Sequence, residues 1–240
     1  MKALTIKLKG PMQAYGNQAN FKYRTIYRHP SKSAVLGMIA AALGYGHGDS
    51  RIVKLNQLSF AVRTDQIDKE LTDFQIVQVP KSSNKLTYRD YWQDAIFIAA
   101  IGGQNDQIEA IDEALHHPKF QLFLGRKSTP PAGPLETKIY TGKSPVEVLK
   151  EMPWQASHWF MVNKRFDPEW RAEIHADAPL LPGERSSLVK DAVKSFSLRE
   201  HTHTYRSESV TSVWLNNPAH KSKPAVGGTI TNQDVMSILK

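Results

Sequence analysis

The chain has 240 residues and carries 31 Lys and Arg against 23 Asp and Glu, a formal net charge of +8. Hydrophobic residues make up 40% and charged residues 22% of the chain, which is usual for a folded protein and excludes wholesale disorder. The absence of cysteine excludes disulfides, thiolate nucleophiles and zinc sites that need sulfur. We expect a cytoplasmic protein, because the longest apolar run is too short to cross a bilayer and no export signal precedes it.

The positive charge is concentrated near the start of the chain. Residues 1–63 contain ten Lys or Arg and a single acid, Asp49, so the remainder is close to neutral. Within this region, residues 21–28 alternate aromatic and cationic side chains. Such interleaving favours a polyanion with exposed bases as the partner.

The first predicted elements are a strand, a loop and a helix. Residues 3–9 alternate apolar and polar side chains, which predicts a strand with one buried face that ends at Gly10 and Pro11. The loop that follows is rich in amides and holds Tyr15 between glycines. Ser31 is placed to cap an apolar helix over residues 34–43. With Lys32 and Ser33 beside it, the helix start predicts a phosphate site.

The middle of the chain predicts an α+β fold. Strands are expected at residues 58–65, 95–101 and 120–124, and a helix capped by Asn105 is expected to run to His117. Between the first two strands, residues 66–94 read as an inserted hairpin with arms at 72–79 and 86–92 and a tip at 80–85. The order strand, helix, strand, strand, helix, strand is that of a ferredoxin-like, or RRM-like, sandwich.

The pattern beyond residue 130 is weaker. We expect a short helix from Ser144 to Lys150, strands at 158–162 and 196–205, and a turn-rich tail that is mobile. The chain therefore divides into residues 1–130, a ferredoxin-like domain with its hairpin insertion, and residues 131–240, a β-rich extension packed on it.

Three motifs give the sequence a family resemblance. They are the opening strand leading into residues 10–16 (GPMQAYG), the segment 30–37 (PSKSAVLG) with its alanine-rich helix, and residues 124–128 (LGRKS) before a proline pair. In this order they resemble the RAMP proteins of CRISPR immunity, and among them the CasD family of type I-E Cascade subunits. A weaker match lies at residues 196–200.

The resemblance implies a non-catalytic subunit that anchors the 5′ handle of a CRISPR RNA (crRNA) and caps one end of the Cascade assembly. The inserted hairpin would be the family's thumb, which presses on the RNA where handle meets spacer. Expected neighbours are the backbone subunit CasC, the large subunit CasA and the target DNA near its flanking motif. No cofactor, metal or membrane is expected.

We predict that the RNA is bound by cations, aromatic rings and polar groups near the helix start. Lysines and arginines would meet phosphates, while tyrosines and amides would meet bases. The predicted RNA-binding residues are Gln13, Tyr15, Asn17, Lys22, Tyr23, Arg24, Tyr27, Arg28, Ser31, Lys32, Ser33, Arg89, Arg126 and Lys127.

Two alternatives stay open. A metal-independent endoribonuclease that processes repeat RNA would use histidines, and the candidates are the pair His116 and His117 or the pair His201 and His203 with Arg199, Tyr205 and Arg206. A metabolite enzyme would need a compact polar pocket, which no motif in the sequence marks.

Overall fold

The computed structural model describes residues 1–19, 22–78, 84–197 and 201–222, with the side chains of Gln18, Ala19 and His201 excepted. The strands are β1 (Lys2–Lys9), β2 (Met12–Gln13), β3 (Gly16–Ala19), β4 (Tyr23–Ile26), β5 (Ser59–Gln66), β6 (Lys69–Val77), β7 (Lys85–Gln93), β8 (Ile96–Gly103), β9 (Glu136–Thr141), β10 (Glu169–Asp177), β11 (Ser186–Phe196) and β12 (His201–Asn216). The helices are α1 (Lys32–Leu43), α2 (Arg51–Lys54), α3 (Asn105–His116), α4 (Pro145–Glu151) and α5 (His158–Asn163), with 3-10 turns at Leu55–Gln57 and Ala178–Leu180.

A seven-stranded sheet in the order β11-β12-β10-β5-β8-β1-β9 forms the centre of the protein. All its neighbouring strands are antiparallel. The sheet contains strands from both sides of residue 130, because β9 pairs with β1 and β10 pairs with β5. The molecule is thus a mixed α+β fold dominated by antiparallel strands.

Strand β8 is buried on both faces, which explains its continuous apolar run. Phe97, Ala99 and Ile101 belong to the large core with α1 and α3. Ile96, Ile98 and Ala100 belong to a second core with α4. A strand covered by helices on both sides loses the usual alternation of apolar and polar residues.

The predicted fourth strand at residues 120–124 is wrong. Its backbone is bonded to the end of α1, since Phe120 N donates to Ala41 O at 3.1 Å, and to the loop before β3, since Ala14 N donates to Leu124 O at 3.1 Å. Because these backbone groups are bonded to a helix end and a loop, the segment does not pair with a neighbouring strand. The edge position beside β1 is taken by β9 instead.

Two further local predictions are corrected, and one is confirmed. Residues 158–162 form part of helix α5, not a strand, because Phe160 and Met161 reach a small core together with Trp154. Helix α3 is preceded by Gln104 as its cap, not Asn105. Ser144 caps α4 in a capping box with Glu147, as predicted.

Strands β6 and β7 form the predicted hairpin, paired from Lys69 with Gln93 to Val77 with Lys85. They belong to a second, five-stranded sheet that also contains β2, β3 and β4.

Most of the predicted tip, at residues 80–83, lies outside the described residues, as do residues 198–200 and the tail after residue 222. Among the helices that the structure describes, none has the length and apolar character to cross a membrane.

Candidate RNA-binding surface

The basic-aromatic segment at the start of the chain lies against the hairpin. Strand β4 pairs with β7 in parallel, with Tyr23 opposite Tyr88 and Arg24 opposite Arg89. Tyr88 N donates to Lys22 O at 2.7 Å and extends this pairing. The most cationic segment and the inserted hairpin therefore form one surface, which we call the hairpin surface: Lys22, Tyr23, Arg24, Tyr88, Arg89 and Arg126.

One face of the hairpin surface is aromatic. The rings of Tyr23 and Tyr88 stack with centroids 5.0 Å apart and an interplanar angle of 13°. Residues opposite each other on neighbouring strands share a face, so Phe74, which pairs with Tyr88, extends the row. Phe74 is 62% exposed and Tyr23 is 46% exposed. Exposed rings in a row are the platform on which unpaired bases stack.

The opposite face is basic. Arg24 and Arg89 are register partners on β4 and β7, and Arg126 Nη2 donates to the carbonyl of Arg24 at 3.2 Å. The guanidinium of Arg126 also lies 4.9 Å from the ring centre of Tyr91. Arg89 Nε and Arg126 Nη1 are buried and have no hydrogen-bond partner among the described residues, whereas the side chain of Arg24 is exposed. Three neighbouring guanidinium groups form a positive region that is suited to phosphate oxygens.

Gln13 and Tyr15 have a structural role, which corrects their predicted contact with bases. Gln13 is fully buried and its Nε2 donates to Leu8 O at 3.2 Å and to Ala95 O at 2.6 Å. The Tyr15 hydroxyl donates to Gln13 Oε1 at 2.7 Å, and burial raises the pKa of that hydroxyl far above its ordinary value. Neither side chain can reach a nucleotide without unpacking the loop.

Asn17 and Tyr27 connect the loop to β4. Asn17 Nδ2 donates to Ile26 O at 3.3 Å, and Thr25 Oγ1 donates to Asn17 Oδ1 at 2.5 Å. Tyr27 N donates to Tyr15 O at 2.6 Å. These bonds hold β4 at the edge of the hairpin, while Arg28 next to it is exposed.

The predicted phosphate site at the start of α1 is filled by the chain's own carboxylates. Ser31 caps the helix as predicted, and Ser33 lies within 3.3 Å of its hydroxyl. However, Lys32 N donates to Asp191 Oδ2 at 2.7 Å, and Lys32 Nζ donates to Asp177 Oδ2 at 2.8 Å. Lys32 is only 5% exposed, so the prediction that it meets RNA phosphate is wrong.

Lys32→Met is therefore expected to affect stability and not RNA binding. Loss of the buried ammonium leaves Asp177 with one cation fewer and should lower the free energy of unfolding by about 2 kcal/mol. Urea unfolding of the purified chain measures this. The salt dependence of RNA binding should be that of the unchanged chain, and a flatter dependence would restore Lys32 as a phosphate contact.

A cavity of about 570 Å³ lies between α1 and the loop at residues 120–127. Its lining includes the apolar residues Gly37 and Phe123 and the polar residues Ser33, Lys127 and His203. The volume lies within the range of small-ligand sites and exceeds what one nucleobase needs. Lys127 is exposed at this cavity and directly follows Arg126 of the hairpin surface.

The histidines considered for RNA cleavage lie in separate places. His116 and His117 are at the end of α3, where His116 Nδ1 is 2.9 Å from Asp112 O and His117 Nδ1 is 2.9 Å from Glu113 Oε1. His203 lines the cavity, and the side chain of His201 lies outside the described residues. Arg206, predicted to accompany them, is instead bonded to Asp191 at 2.6 Å.

Sequence reasoning missed a buried polar cluster beside α1. His29 and His175 stack with ring centres 3.8 Å apart, and both face Glu208, which also accepts from Arg206 at 2.7 Å. Burial, with the nearby His175, lowers the pKa of His29 to about 4. Burial alone would raise the pKa of Glu208, but the hydrogen bond from His175 and the charge of Arg206 lower it to about 2. No local motif joins these residues, which come from distant parts of the chain.

Comparison with known proteins gives consistent matches. The family described as CRISPR-associated protein (Cas_Cas5) matches residues 3–206. The CRISPR system Cascade subunit CasD of Escherichia coli (strain K12) is 29% identical over 167 residues, which cover 61% of this chain and 75% of that protein. A chain of a CRISPR RNA-guided surveillance complex has the same fold, with a TM-score of 0.73, 24% identity and coverage of 93% of this chain and 95% of that chain. A crystal structure of a Cas protein gives a TM-score of 0.62 and 26% identity, covering 92% of this chain and 99% of that one.

Proposed function

This chain belongs to the Cas5 family of CRISPR-associated proteins, and from that premise we propose that it is a non-catalytic, RNA-binding subunit of a Cascade surveillance complex. It anchors the 5′ handle of the crRNA and caps the assembly next to the large subunit. The similarity to the E. coli Cascade subunit supports this assignment. The observation that carries it is the parallel pairing of β4 with β7, which gathers Arg24, Arg89 and Arg126 on one face and stacked tyrosines on the other.

The proposal extends to the fold and the hairpin. Strands β1, β5, β8 and β9 with helices α1 and α3 have the chain order and the sheet order β9-β1-β8-β5 of a ferredoxin-like unit. The hairpin of β6 and β7 is the thumb, which contacts the RNA where the handle ends. Ile76 and Leu86, which pair with each other nearer the tip, are exposed and offer an apolar contact to CasC or CasA. Target DNA near its flanking motif would lie beyond this contact.

In this proposal the handle crosses the hairpin surface with its phosphates on the basic face and unpaired bases on the aromatic face. These contacts are made by Tyr23, Arg24, Arg89 and Arg126. Arg28 and Lys127 are exposed and add further cations. Ser33 and Lys127 line the cavity, where one base is accommodated.

Removing one guanidinium from the basic face tests the proposal. Arg24→Ala and Arg89→Ala should each weaken binding of a handle RNA by about three- to tenfold near 0.1 M salt, because one charge-assisted phosphate contact is lost. For single-stranded RNA, the slope of log K against log salt should decrease by about 0.7 for each contact. Fluorescence anisotropy with labelled handle RNA measures both quantities.

Arg171→Ala is the matched control. Arg171 is an exposed arginine on β10 whose Nε is bonded to Ser212 at 3.2 Å, away from the hairpin surface. Binding and salt slope should not change in this variant. Equal losses in all three variants would indicate general charge attraction, and unchanged slopes in Arg24→Ala and Arg89→Ala would refute the assignment.

Incubation with repeat RNA separates this proposal from the endoribonuclease alternative. We expect binding without turnover. Discrete cleavage that is lost in His117→Ala, His201→Ala or His203→Ala would instead support a metal-independent nuclease.

A further inference from the structure

We propose that His29, His175 and Glu208 form a binding site for one divalent transition-metal ion of the Zn²⁺ class, which ties the segment after β4 to strands β10 and β12. His29 lies between β4 and α1, whereas His175 and Glu208 lie on β10 and β12. An ion here would connect the RNA-binding part of the chain with the C-terminal sheet. It is separate from the surface proposed to bind RNA.

The separation of the three ligand atoms fits such an ion. His175 Nδ1 lies 3.2 Å from Glu208 Oε2, and His29 Nε2 lies 3.7 Å from the same oxygen. One donor atom from each residue lies within 4.8 Å of the others. Zn²⁺ bonds of about 2.0–2.1 Å in a tetrahedron place neighbouring ligand atoms about 3.3 Å apart. Two imidazoles and one carboxylate, with a fourth position for water, are a common zinc set.

The hydrogen bonds around the cluster leave a lone pair directed at a carboxylate. His29 Nδ1 lies 3.2 Å from Pro30 O, and because a carbonyl oxygen can only accept, Nδ1 carries the proton of the neutral ring. His29 Nε2 therefore presents its lone pair to Glu208 Oε2. Two acceptors that face each other in a buried site repel unless a cation lies between them.

The groups behind the ligands have the arrangement of an outer coordination shell. His29 donates to a backbone carbonyl, His175 Nε2 lies 3.8 Å from Glu173 Oε2, and Arg206 Nη2 donates to the other oxygen of Glu208 at 2.7 Å. Metal-binding histidines typically donate their second ring nitrogen to a carbonyl or a carboxylate, and His29 does so here, which fixes its tautomer.

The local charge also favours a cation. Asp177, Asp191 and Glu208 are carboxylates, whereas Lys32 and Arg206 are the cations bonded to them. With both imidazoles neutral, one negative charge remains uncompensated. Glu208 is 5% exposed and the side chain of His175 is 17% exposed, so an ion can enter past His175 into a site of low dielectric.

Coordination of one ion by both histidines requires a change in the orientation of one ring. The two rings stack with an interplanar angle of 21°, so their lone pairs lie in nearly parallel planes. For both to bind one ion, one ring must turn about its side-chain torsion. The partly exposed ring of His175 has the room to do so.

Titration of the full chain, stripped with a chelator and then exposed to Zn²⁺, tests the proposal by calorimetry. We expect one equivalent to bind and to raise the melting temperature, because an ion that binds only the folded chain stabilises it. His175→Asn and Glu208→Gln should each weaken binding at least tenfold. Co²⁺ in place of Zn²⁺ should give the visible absorption of a tetrahedral site with nitrogen and oxygen ligands.

His117→Asn is the control, because it removes an exposed imidazole that lies 2.9 Å from Glu113 and could collect Zn²⁺ on the surface. Stoichiometric binding should survive in this variant. Binding that is lost in His117→Asn but kept in His175→Asn would overturn the proposal, as would the absence of stoichiometric binding to the unchanged chain. Glu208→Gln could unfold the chain, because Arg206 would lose a carboxylate partner. The Co²⁺ spectrum of the unchanged chain therefore gives an independent result. A spectrum identical to that of Co²⁺ in buffer would also overturn the proposal.

Discussion

Arg63→Met is expected to lower the free energy of unfolding by about 3–5 kcal/mol, the scale of breaking a buried ion pair from one side. Arg63 has no exposed surface, and its Nε and Nη2 form a two-point contact with Asp65 at 2.7 and 2.8 Å. Its remaining donors satisfy the carbonyls of Leu149, Met152 and Pro153 at the end of α4. Methionine fills much of the volume but leaves a buried carboxylate and three carbonyls without these donors.

Urea unfolding of the purified chain gives the size of this effect. Arg171→Met, an exposed arginine, is the matched control and should change stability by less than about 0.5 kcal/mol. Adding Asp65→Leu to Arg63→Met should recover part of the loss, because the stranded charge is removed, although Gln155 N then loses its acceptor at 2.7 Å. A loss below about 1 kcal/mol in Arg63→Met would show that water reaches the site.

Gly125→Ala is expected to cost about 3–5 kcal/mol and to displace the neighbouring Arg126. Gly125 has a φ of +91°, which an L-residue adopts only with strain. A Cβ at this position would lie 1.9 Å from the carbonyl oxygen of Ala14, which is backbone and cannot rotate away. The loop would have to separate from residue 14 and break the bond from Ala14 N to Leu124 O.

Gly133→Ala isolates the backbone strain from the clash. Gly133 has a φ of +96°, but a Cβ there would have no atom within 4 Å. Its cost should be about 1–2 kcal/mol. Thermal and urea unfolding compare the two variants, and handle RNA binding should fall only in Gly125→Ala, which displaces Arg126. Equal costs would show that the loop yields to the added methyl group.

The chain order of the central strands and the two long helices could be predicted because each has a local signal. Strand β1 alternates, β8 is uniformly apolar, and α1 begins at a capping serine and ends at Gly44. Residues 120–124 are as apolar as a strand, but Phe120 N donates to the carbonyl of Ala41 at the end of α1. Periodicity alone cannot distinguish these two outcomes, because tertiary bonds decide them.

The basic-aromatic segment could be located from the sequence for a physical reason. The alternation of cations and rings at residues 21–28 survives as an exposed strand, so its members remain candidates for RNA contact. Its pairing with β7 was not foreseen, since parallel partners leave no signature in a short segment. Lys32 was misassigned because Asp177 and Asp191 arrive from strands much later in the chain.

Strand β4 is held to the hairpin by the pairing of Tyr23 with Tyr88 and of Arg24 with Arg89. This pairing would couple the binding of a guide RNA to the binding of a neighbouring subunit. A movement of the hairpin away from β4 would break this pairing, so restraining either one restrains the other. A neighbouring subunit seated on the exposed apolar end of the hairpin would therefore favour one orientation of the arginines. By thermodynamic reciprocity, a bound guide would favour that neighbour's docking to the same degree.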